Sequence, residues 1–551
     1  MSSVDEIGST PAGPSSGDAP QMFTRTATGL VREGKTRDAL FFNIMYSSVL
    51  LTVAFYFLLA PFSYPGSNFL LSTLIAAAFG LPGGFLYAML THMMPRTGGD
   101  YIFASRTLHP AVGFASNFNW MFWLTMVVGV YSTYLAVYGA GAFFRMLAGF
   151  SGNQNLLTTG EWFATQWGTF LTGTTFVVVF AAIFILGGTR LFFRIQRINF
   201  ILYIGGAFLL VLLICLLTSH AGFINNFNDY AANLGTPHAA AKVAAAAAEG
   251  GYAPAHFSWS KTLLAVTVAW YVFGFVYSTN YVAGEIRTGK RTHFFTIPGA
   301  LVLGVGIILA MTPMIEKMVG GSFLEMLGIA EPAAYGFAGG TAAFPELAAI
   351  GSGSPIIGTI VILGFVAGLV AFIPMAMMLA SRAILAWSFD GVMPERLSRV
   401  DERTHTPVAA VLVIAVMCLI STAIYSFTDW FATLVVLFPQ SLTLIIVAIC
   451  GIVLPYRRRE LFESSGYNQR IAGVPVLSIV GFLSLIGFSA AIAVLLSDPA
   501  SGTSLADNLD IILISLGILV FVAPAIYYVA KLLQRRKGVD ISLAYAELPP
   551  E

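Results

Sequence analysis

Runs of about twenty apolar residues recur from one end of this chain to the other, and nothing else in it constrains the fold as much. A hydrocarbon layer about 30 Å thick takes a helix of this length to cross. Backbone N–H and C=O groups inside such a layer must be satisfied within the segment, so each run predicts a membrane-spanning helix. Charge is scarce enough to agree: 10% of the 551 residues are Asp, Glu, Lys or Arg, against about 25% in an ordinary soluble domain. Run length predicts twelve spans, at about 38–61, 67–93, 111–144, 168–188, 197–219, 260–285, 295–315, 354–388, 407–427, 430–454, 472–496 and 508–532.

Twelve spans place both chain ends on one side. The basic residues test that count, because they concentrate on the cytoplasmic side of a membrane. Twenty-four of the 28 lysines and arginines fall on the side of the N-terminus, leaving Arg145, Lys242, Lys261 and Lys317 on the other. The expectation is a multi-pass protein of the cell membrane with both termini cytoplasmic. Residues 1–37, rich in Ser, Gly, Pro and Asp at their start, read as a disordered cytoplasmic leader, and residues 533–551 as a cytoplasmic tail. The leader lacks a basic stretch followed by an apolar one, so it does not read as a signal peptide. Of the two largest outer loops, 220–259 carries an alanine run that predicts a short helix. The other, 316–353, is too interrupted by Gly and Pro to span and predicts a re-entrant or surface helix.

Several chemistries are excluded. The three cysteines lie singly inside apolar runs, as small buried residues do. The seven histidines form no HExxH or His–Cys pattern, so no metal and no cofactor is expected. No G-x-S-x-G is present for a serine hydrolase, and no enzyme is expected. No basic, aromatic-interleaved patch points to nucleic acid. The partners left are the lipid bilayer and a small-molecule substrate, with the oligomeric state open.

Four polar stretches between spans carry more. PRTGGDYIFASRTLHP, Pro95 to Pro110, joins the second and third spans. YVAGEIRTGKRTHF ends the sixth span, SRAILAWSFDGVMPERLSRVDERTHTPVAA follows the eighth, and PYRRRELFE follows the tenth. In this order, at these spans, they resemble the cytoplasmic signatures of the amino acid–polyamine–organocation transporters, of the amino acid permease type. The resemblance implies an all-α integral membrane fold of 12 transmembrane helices. It would have a 5+5 inverted-repeat, leucine-transporter-like core and two C-terminal helices. The repeats would be residues 38–220 and 260–454, with the last two spans in 472–532. It also implies that the first and sixth spans are broken near the midplane, where unwound backbone holds the substrate.

The residues support this for the sixth span, where Phe273, Gly274 and Phe275 read as the break and Tyr271, Ser278 and Thr279 as substrate-lining. Hydroxyls this deep are costly unless they face a cavity or a helix. The first span has no glycine between Gly34 and Gly66, so Tyr46, Ser47 and Ser48 are its candidates, with Asn43 at similar depth. No Asp, Glu, Lys or Arg falls near the middle of any span, which disfavours a dicationic substrate. Relatives coupled to protons or sodium carry a lysine in the fifth span or a hydroxyl in the eighth, and neither stands here.

Arg96, Asp100, Arg106 and Glu285 read as a cytoplasmic gate, with Arg287, Arg382 and Asp390 among the charges near it. Glu285 with an arginine of the 95–110 loop is the expected pair. The function expected is secondary transport of a small neutral or zwitterionic amino acid or related amine by alternating access, through exchange or proton linkage. The alternatives are a nucleobase or carboxylate carrier on the same fold, or a sensor that binds without transporting.

Overall fold

The chain is seen here as a computed structural model that describes residues 30–275, 277–287, 292–337, 344–428, 433–506, 508–545 and 548. The expected leader up to residue 29, Thr288-Gly289 of the second signature and most of the last six residues lie outside the described part. Among the described residues the only strands are two short ones, Arg470–Ile471 and Val474–Pro475; the rest of the regular structure is helix.

The helices that position the site are α1 (Thr36–Tyr46), α2 (Val49–Ser63), α3 (Phe69–Met93), α4 (Asp100–Thr107) and α5 (Pro110–Tyr134). They continue with α6 (Ala142–Ser151), α7 (Gln166–Leu202), α8 (Val266–Phe275), α9 (Thr292–Val319) and α10 (Phe344–Ser352). The last are α11 (Pro355–Phe389), α12 (Val408–Phe427), α13 (Leu437–Arg457) and α14 (Val476–Ser497). Among the described residues, eleven helical segments are long and apolar enough to cross a membrane.

Eleven and the expected twelve differ at one place. Residues Gln166–Leu217 form a single 52-residue segment where two spans were expected. At about 1.5 Å per residue it is far longer than one crossing needs. Its contacts reveal two legs. The first passes from Ser132 and Thr422, which abut Gly173, to Thr404, which abuts Gly188. The second passes from Thr189, bonded to Glu285, past Ile360 against Gly206, to Gly351, whose carbonyl accepts from Thr218. The first leg thus runs antiparallel to α12 and the second antiparallel to α11. Gly188 makes the corner, with φ 61° and ψ −167°, a conformation essentially confined to glycine. The following TRLFFRIQR carries on as helix because Phe192 and Phe193 are buried while Arg190 is exposed.

The first and sixth spans are antiparallel neighbours. At one end of the bundle Gly34 and Ile286 form a parallel bridge, with Gly34 N–H on the Glu285 carbonyl at 3.0 Å and Arg287 N–H on the Gly34 carbonyl at 2.8 Å. At the other, Lys261 Nζ donates to the Ser63 carbonyl at 3.2 Å. The expected leader therefore needs correcting: residues 30–37 are structured. Asp38, buried at the start of α1, holds Arg197 of α7 at 2.9 Å. The alanine run is a helix, Ala239–Glu249, as expected. The 316–353 loop carries α10, which packs between α11 and α6.

Candidate functional site

The first span is broken without glycine. α1 ends at Tyr46, and Ser48 sits at φ 50°, ψ 42°, in the left-handed region, before α2 starts. Serine tolerates a break because its hydroxyl replaces lost backbone bonds. Ser47 Oγ donates to the Ile44 carbonyl at 2.8 Å, and Ser48 Oγ shares a hydrogen bond with Tyr131 Oη at 2.7 Å. The Leu50 N–H, left over at the new helix start, donates to Tyr203 Oη at 3.1 Å. Left-handed backbone costs an ordinary residue about 1–2 kcal/mol, and glycine nothing. Ser48→Gly is therefore expected to be more stable than Ser48→Ala by about 1 kcal/mol, since both lose the hydroxyl and only alanine keeps a Cβ. In a regular helix that order is reversed. Thermal melting of the two variants in detergent distinguishes them, and the helical order would mean that Ser48 is not left-handed.

The sixth span breaks slightly later than expected. α8 runs regularly through Phe275, and the chain resumes as a 3-10 helix over Ser278–Glu285. Gly274 is thus not the break. It lies inside α8, where a Cβ would strike the Gln440 side chain, and its carbonyl accepts from Gln440 Nε2. The two broken spans are stitched together by Asn43 of α1. Its Oδ1 accepts from Thr279 N–H at 3.2 Å, and its Nδ2 donates to Thr279 Oγ1 at 3.1 Å and to the Thr296 carbonyl at 3.0 Å.

Around the breaks lies a packed aromatic cluster. Phe372 of α11 stacks between Tyr131 (centroids 3.6 Å apart) and Tyr46 (4.8 Å), with Phe275 edge-on to both Tyr46 and Phe372. Tyr271 packs on Phe275 and donates to Tyr131 Oη at 3.3 Å. Tyr46, Ser48, Tyr271 and Phe275 are therefore brought together, while Ser47 bonds its own helix. Thr279 is engaged with Asn43, and Ser278 Oγ donates to the Phe275 carbonyl at 2.6 Å. Phe273 is not part of the cluster: it faces away, against Gly80 of α3 and Trp270. A small chamber lies on one side of the cluster, lined by Asp100, Gly274, Ser278 and Gln440. On the other is a narrow apolar cavity between α2, α9, α10 and α11, lined by Phe55, Tyr138, Phe344 and Phe365.

The four gate candidates separate into different partnerships. Glu285 is held by Arg382, not by an arginine of the 95–110 loop. The Nε and Nη2 atoms of Arg382 lie 2.7 and 2.9 Å from its carboxylate, which also accepts from Thr189 Oγ1 at 2.8 Å. Arg106 instead grips Asp390 with two bonds, at 2.5 and 2.9 Å, under the ring of Tyr545. Asp100 bonds neutral groups, Asn280 and Tyr281. Arg96 is only half-buried, with its guanidinium 3.5 Å from the Pro95 carbonyl. The Gly98-Gly99 pair lets the loop press on the sixth span: Gly98 N–H donates to the Tyr281 carbonyl, and Gly99, at φ 56°, faces the Tyr281 ring where no Cβ fits.

A third buried ion pair stands at the opposite end. Arg145 of α6 holds both oxygens of Glu346 on α10, at 2.9 and 3.1 Å, and neither residue is exposed. Sequence reasoning did not single it out, although a charge on each of two apolar helices is the usual sign of a buried pair. Tyr131, Tyr203, Phe372 and Gln440 were also missed. The polar tips of Tyr131, Tyr203 and Gln440 inside apolar spans were the available signal, since each needs a partner there. Phe372 gave none.

A comparison with curated proteins finds no match. The amino acid permease family, by contrast, matches residues 39–522, nearly the whole helical body. The twin breaks, the buried loop network and that match lead to one statement: this chain is a multi-pass membrane protein belonging to the amino acid permease family of the amino acid–polyamine–organocation superfamily.

Proposed function

We infer that this permease carries a small neutral or zwitterionic amino acid, or a related amine, by alternating access around the two breaks. The observation that carries this reading is the pair of broken antiparallel spans joined by Asn43 and Thr279. A helix start at Val49 offers N–H groups and a positive dipole end, which suit a substrate carboxylate. The cluster of Tyr46, Tyr131, Tyr271, Phe275 and Phe372 suits an apolar side chain or an ammonium over a ring face. No charged side chain belongs to that cluster, which supports a substrate of zero net charge. Buried ion pairs at both ends of the bundle, with a cavity on either side of the aromatic layer, suit a pathway that opens to one face at a time. In this reading the 95–110 loop and both termini are cytoplasmic and the Arg145–Glu346 pair faces outward.

The test is a thermal-shift panel of amino acids, amines, nucleobases and organic acids on the purified protein, followed by flux of the hits into proteoliposomes. Neutral amino acids are expected among the hits, with binding weakened about tenfold or more by Ser48→Ala or Ser278→Ala. Unchanged binding in both variants removes this pocket. Binding with no flux would make the protein a sensor.

A further inference from the structure

Behind the Gly98-Gly99 turn lies a small chamber lined by Asp100, Asn280, Tyr281, Ser278, Tyr87 and Gln440. Asp100 is buried, and its carboxylate accepts from Asn280 Nδ2 at 2.7 Å and from Tyr281 Oη at 2.9 Å. Tyr281 Oη in turn accepts from Asn117 Nδ2 at 2.6 Å, which leaves its own proton for Asp100.

Most other buried carboxylates face a cation: Asp38 has Arg197, Glu285 has Arg382, Glu346 has Arg145 and Asp390 has Arg106. Asp498, at the opposite end, bonds Tyr64 and lies near Lys261. Among the described residues no cation pairs with Asp100. Among the described residues the titratable groups facing it are Tyr87 from α3, Tyr281 from the sixth span and Cys450 from α13. Asn117 and Trp120 from α5 are neutral. A buried carboxyl without a cation favours its neutral form. Burial pushes Asp100 up to about 6, against Tyr281, Tyr87 and Asn280, which pull it down.

The same chamber holds what the neutral form needs. Among the described residues, Asn280 Oδ1 and Gln440 Oε1 are both buried without a hydrogen-bond partner. Buried acceptors left unpaired in this way are costly unless something uses them. A half-turn of the Asn280 amide exchanges its Nδ2 for its Oδ1 at the same place, so one contact serves either state. The ionised carboxylate takes a donor there, and the carboxylic acid gives its proton to an acceptor. Asn280 directly follows Thr279, the residue that Asn43 ties to the first span.

We propose that Asp100 is the proton site of this permease: one H⁺ adds to its carboxylate, and the change is handed through Asn280 and Tyr281 to the broken sixth span, so that substrate and proton move together. The proposal rests on the transport reading above for its second half only. The full chain in lipid is examined by infrared difference spectroscopy between about pH 5 and pH 8. The expected result is the carbonyl band of a buried neutral carboxyl, titrating near 6 and absent in Asp100→Asn. In proteoliposomes given a labelled mixture of neutral amino acids, an imposed proton gradient drives accumulation in the wild type. Asp100→Asn lowers that accumulation at least about tenfold while counterflow exchange continues.

A band that persists in Asp100→Asn, or accumulation still driven by protons there, overturns the proposal. Accumulation that follows sodium instead also overturns it. Should Asp100→Asn not fold, Asp100→Glu keeps a carboxyl and is expected to keep the band with a moved midpoint. No titrating band in the wild type then refutes the site. A chain that moves none of the mixture while showing the Asp100 band refutes transport of these substrates and leaves the proton site standing.

Discussion

Arg382→Ala is expected to cost this protein about 3–5 kcal/mol, enough to lose most of the monodisperse material from a detergent preparation. The guanidinium is wholly buried and makes bonds to Glu285, Thr189 and Ser381. Removing it leaves the Glu285 carboxylate buried with Thr189 Oγ1 as its only side-chain donor among the described residues. An ionised group stranded in this way costs far more than the pair was worth, because the pair had already paid its desolvation. Arg382→Met with Glu285→Leu removes both charges and fills similar space, and is expected to recover most of the loss. Heating the three proteins in parallel and measuring the monodisperse fraction decides between them. A double variant as poor as the single would mean that Arg382 acts through something other than its carboxylate.

Gly188→Ala is expected to be worse still. Its φ of 61° and ψ of −167° are conformations an alanine barely reaches, and its added Cβ would lie 2.2 Å from the Thr404 carbonyl oxygen. That oxygen is backbone and cannot swing aside. The strain falls on the corner between the two legs of Gln166–Leu217, beside the Thr189–Glu285 bond, so the legs cannot both keep their places. Little or no folded protein is expected in the membrane. Gly205→Ala, in the second leg of the same segment, is the control. Nothing lies within 4 Å of its would-be Cβ, and the change is expected to stay within about 1 kcal/mol of wild type. Equal yields of the two variants would contradict the corner described above.

Much of this architecture was legible in the residues. Apolar run length located each helix long and apolar enough to cross a membrane among the described residues, because hydrocarbon thickness acts on sequence directly. The break in the first span falls at Ser47-Ser48, the residues read as standing in for the usual small ones there. The sixth span was read two residues early, since a glycine can serve either unwinding or close packing. Gly274 serves packing, against Gln440, a residue far away in sequence. The same limit explains Glu285. Its sequence told which end of the bundle it belongs to, but Arg106 and Arg382 are equally basic, and only the folded geometry assigns Arg106 to Asp390. The spans expected at 168–188 and 197–219 left residues 189–196 between them as a loop. That stretch is helical because two buried phenylalanines fix one face and the arginines need only the other.

Gly34 and Tyr545 both fall outside the stretch matched to the family, yet each is fastened to a residue within it. Gly34 is bridged to the foot of the sixth span, and Tyr545 lies over Arg106 with its hydroxyl on Tyr101 and its carbonyl on Arg458. The face closed by the Arg382 and Arg106 pairs is thus also sewn shut by the chain's two ends. In the transport reading above, how readily that face opens is therefore set by this particular sequence rather than by the common core. On that reading, a tag, cleavage or modification near either end would retune the opening without touching Ser48 or the aromatic cluster.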